Sequence, residues 1–232
     1  MTASSRDAAE TGGLAPLLTR LGEALDGYLR FEHPDALVTA DEWRARLTEP
    51  LPEHGAGIEA VAEELARTVV PNGSPVPRPG FTGFITTGGV TASTLASTAA
   101  SVAAPQRYGL TAFNLLEELS LEWLARMFGV PHLRGVYSSG GSTANLVALG
   151  AARQHAFERV GRDAGADGVD RPTAVFATAE AHHTVQRAAG VLGLGRRAVR
   201  LVATDDEGRM DVADLRRALE RAEAEGALPV AV

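Results

Sequence analysis

Leu14, Leu17, Leu18, Leu21, Leu25 and Leu29 recur at the three- and four-residue spacing of one helical face, while Arg20, Glu23 and Asp26 fall off it. That pattern predicts an amphipathic first helix that needs a surface to pack on. Ile58, Val61, Leu65 and Val69 predict a second helix over 58–69, ended by the proline-rich run Pro71 to Pro79. Beyond this linker, Thr91 to Ala104 reads as a helix of small residues. Ala112 to Phe128 reads as a larger one, stopped by Gly129 and Pro131. The chain then alternates. Short apolar runs at 135–138, 174–177, 198–203 and 228–232 are expected as strands. Helices are expected at 142–160, 182–192 and 212–224, with a polar loop at 161–171. Nearly unbroken apolar strands alternating with helices predict a mostly parallel sheet covered on both faces, an α/β fold. Leu228 to Val232 reads as a strand entering that sheet with nothing after it. The expectation is therefore a fold completed by another polypeptide, or a fragment.

Composition narrows the chemistry. The 232 residues carry a net charge of −7 and no basic stripe, which argues against nucleic acid as partner. No apolar run reaches the ~18 residues of a membrane span, and the N-terminus lacks a cationic-then-apolar signal, so a cytoplasmic protein is the expectation. There is no cysteine, which removes disulfides, thiolate metal sites and cysteine nucleophiles. All 22 residues counted as Lys+Arg are arginine. High-GC coding bias explains a scarcity of lysine, but chemistry that requires a lysine amine must import it.

Two segments carry candidate chemistry. Tyr137-Ser138-Ser139-Gly140-Gly141-Ser142-Thr143-Ala144-Asn145 follows a predicted strand and opens a long helix. Glycines admit an anion close to the backbone, and free amides at a helix start, with the hydroxyls of Ser142 and Thr143, suit a phosphate. The same residues also read as an ordinary serine N-cap after a glycine turn. They form neither the lysine-containing P-loop nor the spaced-glycine dinucleotide fingerprint. Thr178-Ala179-Glu180-Ala181-His182-His183-Thr184 follows the next strand, which places an imidazole at the same sheet edge. There it could stack on a planar ligand, or serve as surface or cap. A metal is disfavoured because neighbours on a helix diverge by ~100° and no third ligand is evident.

In order and together, the two segments resemble the group II pyridoxal-phosphate-dependent amino-acid decarboxylases, which include the aromatic amino-acid, glutamate and diaminobutyrate enzymes. The likeness runs from about Pro79 to Val232. It covers Ser139 to Asn145, Glu180 to His182 with Val185, the turn Asp206-Glu207-Gly208-Arg209-Met210, and Pro229 to Val232. It implies part of an aspartate-aminotransferase-like fold type I large domain, over residues 81–232. Residues 1–80 would be a helical arm and linker for dimerisation. The implied cofactor is pyridoxal 5'-phosphate, with Gly141 and Ser142 on its phosphate and His182 flat on its ring. Phe81 to Thr87 is similar to the family's pocket-lining segment, which makes Phe84 and Thr87 substrate-side candidates. Phe84 equally suits plain core packing. Arg78 and Leu110-Thr111 depart from the family pattern, at positions that bear on the substrate pocket.

The family's Schiff-base lysine, and the aspartate that pairs with the pyridinium nitrogen, have no counterpart in this chain. The resemblance therefore implies one subunit of a split decarboxylase, inert alone, whose Lys and Asp come from a C-terminal-half polypeptide. A dimer of such halves, a heterotetramer, is the expected assembly, acting on a small amino acid. Alternatives are another pyridoxal-phosphate reaction on the same scaffold (oxidative deamination or carbon–carbon bond formation), a non-catalytic degenerate partner, or a binder of some other phosphate ligand.

Overall fold

The protein is described by a computed structural model covering residues 13–30, 39–48, 50–51, 53–74, 76–78, 80–83, 89–106, 109 and 111–232. The chain divides into two compact units, residues 1–113 and 114–232. No helix among the described residues is long and apolar enough to cross a membrane.

In the first unit the leucine stripe forms α1 (Leu14–Leu29), as its spacing predicts. A helix that the apolar pattern does not announce follows, α2 (Ala40–Leu47). Its signal is a capping box: the Thr39 hydroxyl accepts from the Glu42 amide while the Glu42 carboxylate accepts from the Thr39 amide at 2.7 Å. Those amide and hydroxyl bonds hold the Glu42 carboxyl below its ordinary pKa. The predicted second helix is α3 (Ile58–Glu64), which widens into a π-helical turn over Leu65–Val69 that buries Thr68. α1 lies along this pair, with Arg20 reaching Glu59 at 3.1 Å and Glu63 at 3.7 Å. The Tyr28 hydroxyl donates to the Ser74 carbonyl, and the Arg78 guanidinium stacks 4.3 Å from the Tyr28 ring. Arg78 also donates to the Pro71 carbonyl at 3.4 Å. This departure from the family pattern is thus tied to α1 and the linker. The small-residue helix is α4 (Thr91–Ala103).

The second unit holds the sheet. After α5 (Ala112–Met127) and α6 (Gly141–Glu158) come a short helix α7 (Ala164–Asp167), β1 (Thr173–Thr178), α8 (Thr184–Val191), β2 (Val199–Val202), α9 (Val212–Ala224) and β3 (Leu228–Ala231). The strands are parallel in the order β2-β1-β3, with Val175 opposite Val199 on one side and Ala231 on the other. Side chains of β1 alternate between two cores. Val175 packs with Leu149, Ala188, Ala189 and Leu194 beneath α6 and α8. Ala174 and Phe176 pack with Val202, Ala218 and Ala222 beneath α9. The sheet is covered on both faces, as the unbroken apolar strands predict.

Three local expectations are corrected. Residues 135–138 form no strand, because they find no ladder partner among the described residues. They lie along α5 instead, where the Tyr137 hydroxyl donates to Ser120 Oγ at 2.9 Å and Gly135 leaves room for Leu121. A Cβ at Gly135 would sit 2.8 Å from Leu121 Cδ2. The 161–171 loop contains α7, started by Asp163 accepting from the Gly165 and Ala166 amides. The helix expected from His182 begins at Thr184, because residues 179–183 form a turn off the end of β1.

Candidate cofactor-binding site

Gly140, not a serine, is the N-cap of α6, with φ of 147° and ψ of 172°. A φ in that region is costly for any residue with a Cβ, so the turn into the helix requires glycine. No side chain caps this end. Ser139 Oγ pairs with Thr143 Oγ1 at 3.1 Å and Ser138 Oγ donates to the Gly140 carbonyl at 3.2 Å, so neither hydroxyl serves the amides. The first helical hydrogen bond runs from the Ala144 amide to the Gly140 carbonyl. The amides of Gly141, Ser142 and Thr143 therefore end an 18-residue helix without intrahelical acceptors. Nothing lies within 4 Å of an added Cβ at Gly140 or Gly141, and Gly141 and Ser142 are exposed. An open helix end with partial positive charge and glycine-lined approach is what a phosphate needs. The serine N-cap alternative is not what forms.

His182 stands at the turn after β1, and it is linked to α6 through Thr184. Asn145 Nδ2 donates to Thr184 Oγ1 at 2.7 Å, and Thr184 Oγ1 lies 2.8 Å from His182 Nδ1. The cradle helix and the imidazole are thereby joined through one buried hydroxyl, Thr184 being 3% exposed. Asn145 and Thr184 lie in the two segments that carry the candidate chemistry, but the sequence gives neither a role. Only the folded chain brings residues 39 positions apart together. His183 lies against His182, ring centroids 4.1 Å apart and tilted by 35°. Its pKa is lowered, first by desolvation and then by the charges of His182 and Arg187. No cluster of three or more potential metal ligands occurs among the described residues.

Asn145 and Thr178 also edge a cavity of about 410 Å³ between α6 and the sheet, its walls otherwise apolar and including Ala148, Val185, Met210 and Val232. That volume lies in the range of small-molecule sites. Asn145, on the helix that Gly141 and Ser142 open, links that helix through Thr184 to His182. Phe84 and Thr87 lie outside the described residues.

Residues 41–232 match the model of the pyridoxal-dependent decarboxylase conserved domain. The chain belongs to this family. Human cysteine sulfinic acid decarboxylase is 37% identical over 122 residues, which is 52% of this chain and 24% of that protein. L-2,4-diaminobutyrate decarboxylase of Rhizobium meliloti is 33% identical over 190 residues, 79% of this chain and 36% of that one. The crystal structure of mouse CSAD matches with a TM-score of 0.76 at 28% identity, covering 93% of this chain and 47% of its own. The fold is therefore that of the N-terminal portion of these decarboxylases, and the chain spans about half the length of that solved relative.

Proposed function

We infer that this chain supplies the phosphate cradle and the ring-stacking imidazole of a pyridoxal-phosphate-dependent amino-acid decarboxylase. The Schiff-base lysine and the aspartate for the pyridinium nitrogen come from a C-terminal-half polypeptide that assembles with it. The observation that carries this reading is the uncapped, glycine-lined start of α6, tied through Asn145 and Thr184 to His182. These 232 residues contain no lysine, so the Schiff-base amine lies outside them. Residues 1–80 act as the arm by which two such assemblies pair, in a heterotetramer.

In this role the Gly141, Ser142 and Thr143 amides and the Ser142 hydroxyl hold the phosphate, whose charge the α6 dipole favours. The His182 ring sets the plane of the cofactor, and that plane decides which bond to the substrate α-carbon lies perpendicular to it. When bound, pyridoxal phosphate supplies the electron sink for the carbon–carbon bond that breaks. The resemblance assigns Phe84 and Thr87 to recognition of the amino-acid substrate, the class of substrate named for the relatives.

Gly141→Ala separates cradle from scaffold. Its backbone is not in the left-handed region and an added methyl meets nothing within 4 Å. Alanine in a helix is favoured over glycine by up to about 1 kcal/mol, so the melting temperature should hold or rise. Pyridoxal phosphate affinity, read by fluorescence titration with inorganic phosphate as competitor, is expected to fall about tenfold, because the methyl blocks close approach to the backbone. Unchanged affinity and competition would remove the cradle from Gly141.

A further inference from the structure

The geometry points to Asn145 and Thr184 as positioning residues: a directed hydrogen-bond relay from α6 that pins the His182 ring and keeps its proton on Nε2. The role in stacking rests on the cofactor reading above, whereas the relay itself rests on three distances. Asn145 Nδ2 to Thr184 Oγ1 is 2.7 Å, Thr184 Oγ1 to His182 Nδ1 is 2.8 Å, and the Thr184 backbone nitrogen to the same Nδ1 is 3.4 Å.

One of these contacts, between the Thr184 hydroxyl and Nδ1, could run either way, since a hydroxyl both donates and accepts and a neutral imidazole nitrogen does one or the other, whereas the Asn145 Nδ2 group only donates. The backbone contact settles it. A backbone N–H only donates, so the Thr184 amide, although long at 3.4 Å, makes Nδ1 an acceptor. An accepting Nδ1 carries no proton. The Thr184 hydroxyl must then donate to it, and its oxygen lone pairs are left for the Asn145 amide. Polarity is thus set from the backbone outward. The neutral ring is the Nε2–H tautomer, presented from an exposed turn.

This matters for a ring that must lie flat on another. A histidine at a turn, outside any helix, rotates freely unless one nitrogen is held. Here the holder is a side chain 3% exposed that is itself held by the cradle helix. Phosphate site and ring plane are then set by the same element, α6, with Asn145 five residues after the Gly140 cap. His183, 4.1 Å from the His182 ring, limits rotation the other way.

The test is long-range ¹H–¹⁵N correlation on the full 232-residue chain labelled with ¹⁵N-histidine, at about pH 8 where imidazoles are neutral. The His182 signals are assigned from their loss in His182→Gln. Wild type and Thr184→Ser are expected to show Nε2–H, and Thr184→Val a mixture of tautomers. Asn145→Asp is the decisive variant. A carboxylate only accepts, so it competes with Nδ1 for the Thr184 hydroxyl proton and leaves the long Thr184 amide contact as the hold on Nδ1, which weakens the Nε2–H preference toward a mixture of tautomers. A merely structural Asn145 predicts no change. An Nδ1–H signal in wild type, or an unchanged Nε2–H signal in folded Asn145→Asp, overturns the relay. If neither variant folds, the wild-type tautomer still decides. Pyridoxal phosphate titrations on the same samples are expected to show about tenfold weaker binding in Thr184→Val and recovery in Thr184→Ser, the scale of one lost hydrogen bond. An Nε2–H tautomer in a wild-type chain that takes up no cofactor supports the relay and overturns the cofactor reading instead.

Discussion

Asp205 shows how much one carboxylate can organise. Its Oδ1 accepts from the Glu207 amide at 3.1 Å and the Arg209 amide at 2.8 Å, and its Oδ2 accepts from Arg209 Nε at 2.8 Å. Gly208 takes the left-handed φ of 78° that the turn demands, and the Thr204–Met210 bridge closes it. The Arg209 side chain first, then these amides, hold the Asp205 carboxyl below its ordinary pKa. A carboxyl depressed on folding contributes stability that is present above its unfolded value, about 3.9, and is lost as pH falls through the folded one. Asp205→Asn is therefore expected to melt below wild type at neutral pH, with the two melting temperatures converging as pH drops below about 4. A gap that stays constant across that range would mean that the charge does not matter. The sequence marks this turn by Asp206 to Met210, but the residue that builds it stands one place earlier. Nothing in a turn's composition says which of two adjacent aspartates reaches back to cap amides.

At the scale of elements, β1 is the hinge of the fold's energetics because it has a neighbour on each side and a helix layer on each face. Phe176, 1% exposed, is the largest side chain in the core beneath α9, where its neighbours are mainly alanines that cannot expand to fill a gap. Phe176→Ala is expected to cost about 3–5 kcal/mol, read from the shift in urea midpoint. Leu201, 60% exposed on β2, should lose far less on truncation to alanine. A similar loss at both positions would contradict the two-core reading. Elements with an internal signature were legible in the sequence: three short apolar runs became strands, and the leucine stripe became α1. Residues 135–138 were not, because a strand exists only by virtue of a partner, and this segment bonds to α5 instead. α2 was missed for a different reason. Its capping box Thr39-x-x-Glu42 was readable, but its eight residues show no core-facing apolar stripe, and none is buried. Gly141, Ser142 and His182 entered the candidate site through the family resemblance of the two segments that hold them. The contact between Asn145 and Thr184 was not legible in the sequence, since it depends on how α6 crosses the end of β1.

For the whole molecule, the arginine-only composition becomes a statement about where covalent chemistry can occur. Aldehyde cofactors bond reversibly to uncharged amines, and an arginine guanidinium stays protonated at any physiological pH, so none of the 22 arginines can replace a lysine. The proposed assembly therefore divides labour, with non-covalent holding on this chain and the covalent bond on its companion. α5 offers a surface suited to such a companion: Leu116, Trp123 and Met127 recur along one helical face and are 60%, 57% and 81% exposed. Exposed apolar stripes of this kind mark association surfaces, with tryptophan a frequent anchor. Borohydride reduction of the purified assembly, loaded with pyridoxal phosphate, tests the division directly, because it fixes the cofactor to whichever amine holds it. Peptide mass spectrometry is expected to find the pyridoxyl label on a lysine of the companion and on no side chain of this one. Gly141→Ala in this chain should lower the companion's labelling at limiting cofactor, and Trp123→Asp should lower it by weakening assembly. Full labelling of the companion by itself, unaffected by adding this chain or by Gly141→Ala, would mean that the cradle on α6 takes no part in holding the cofactor.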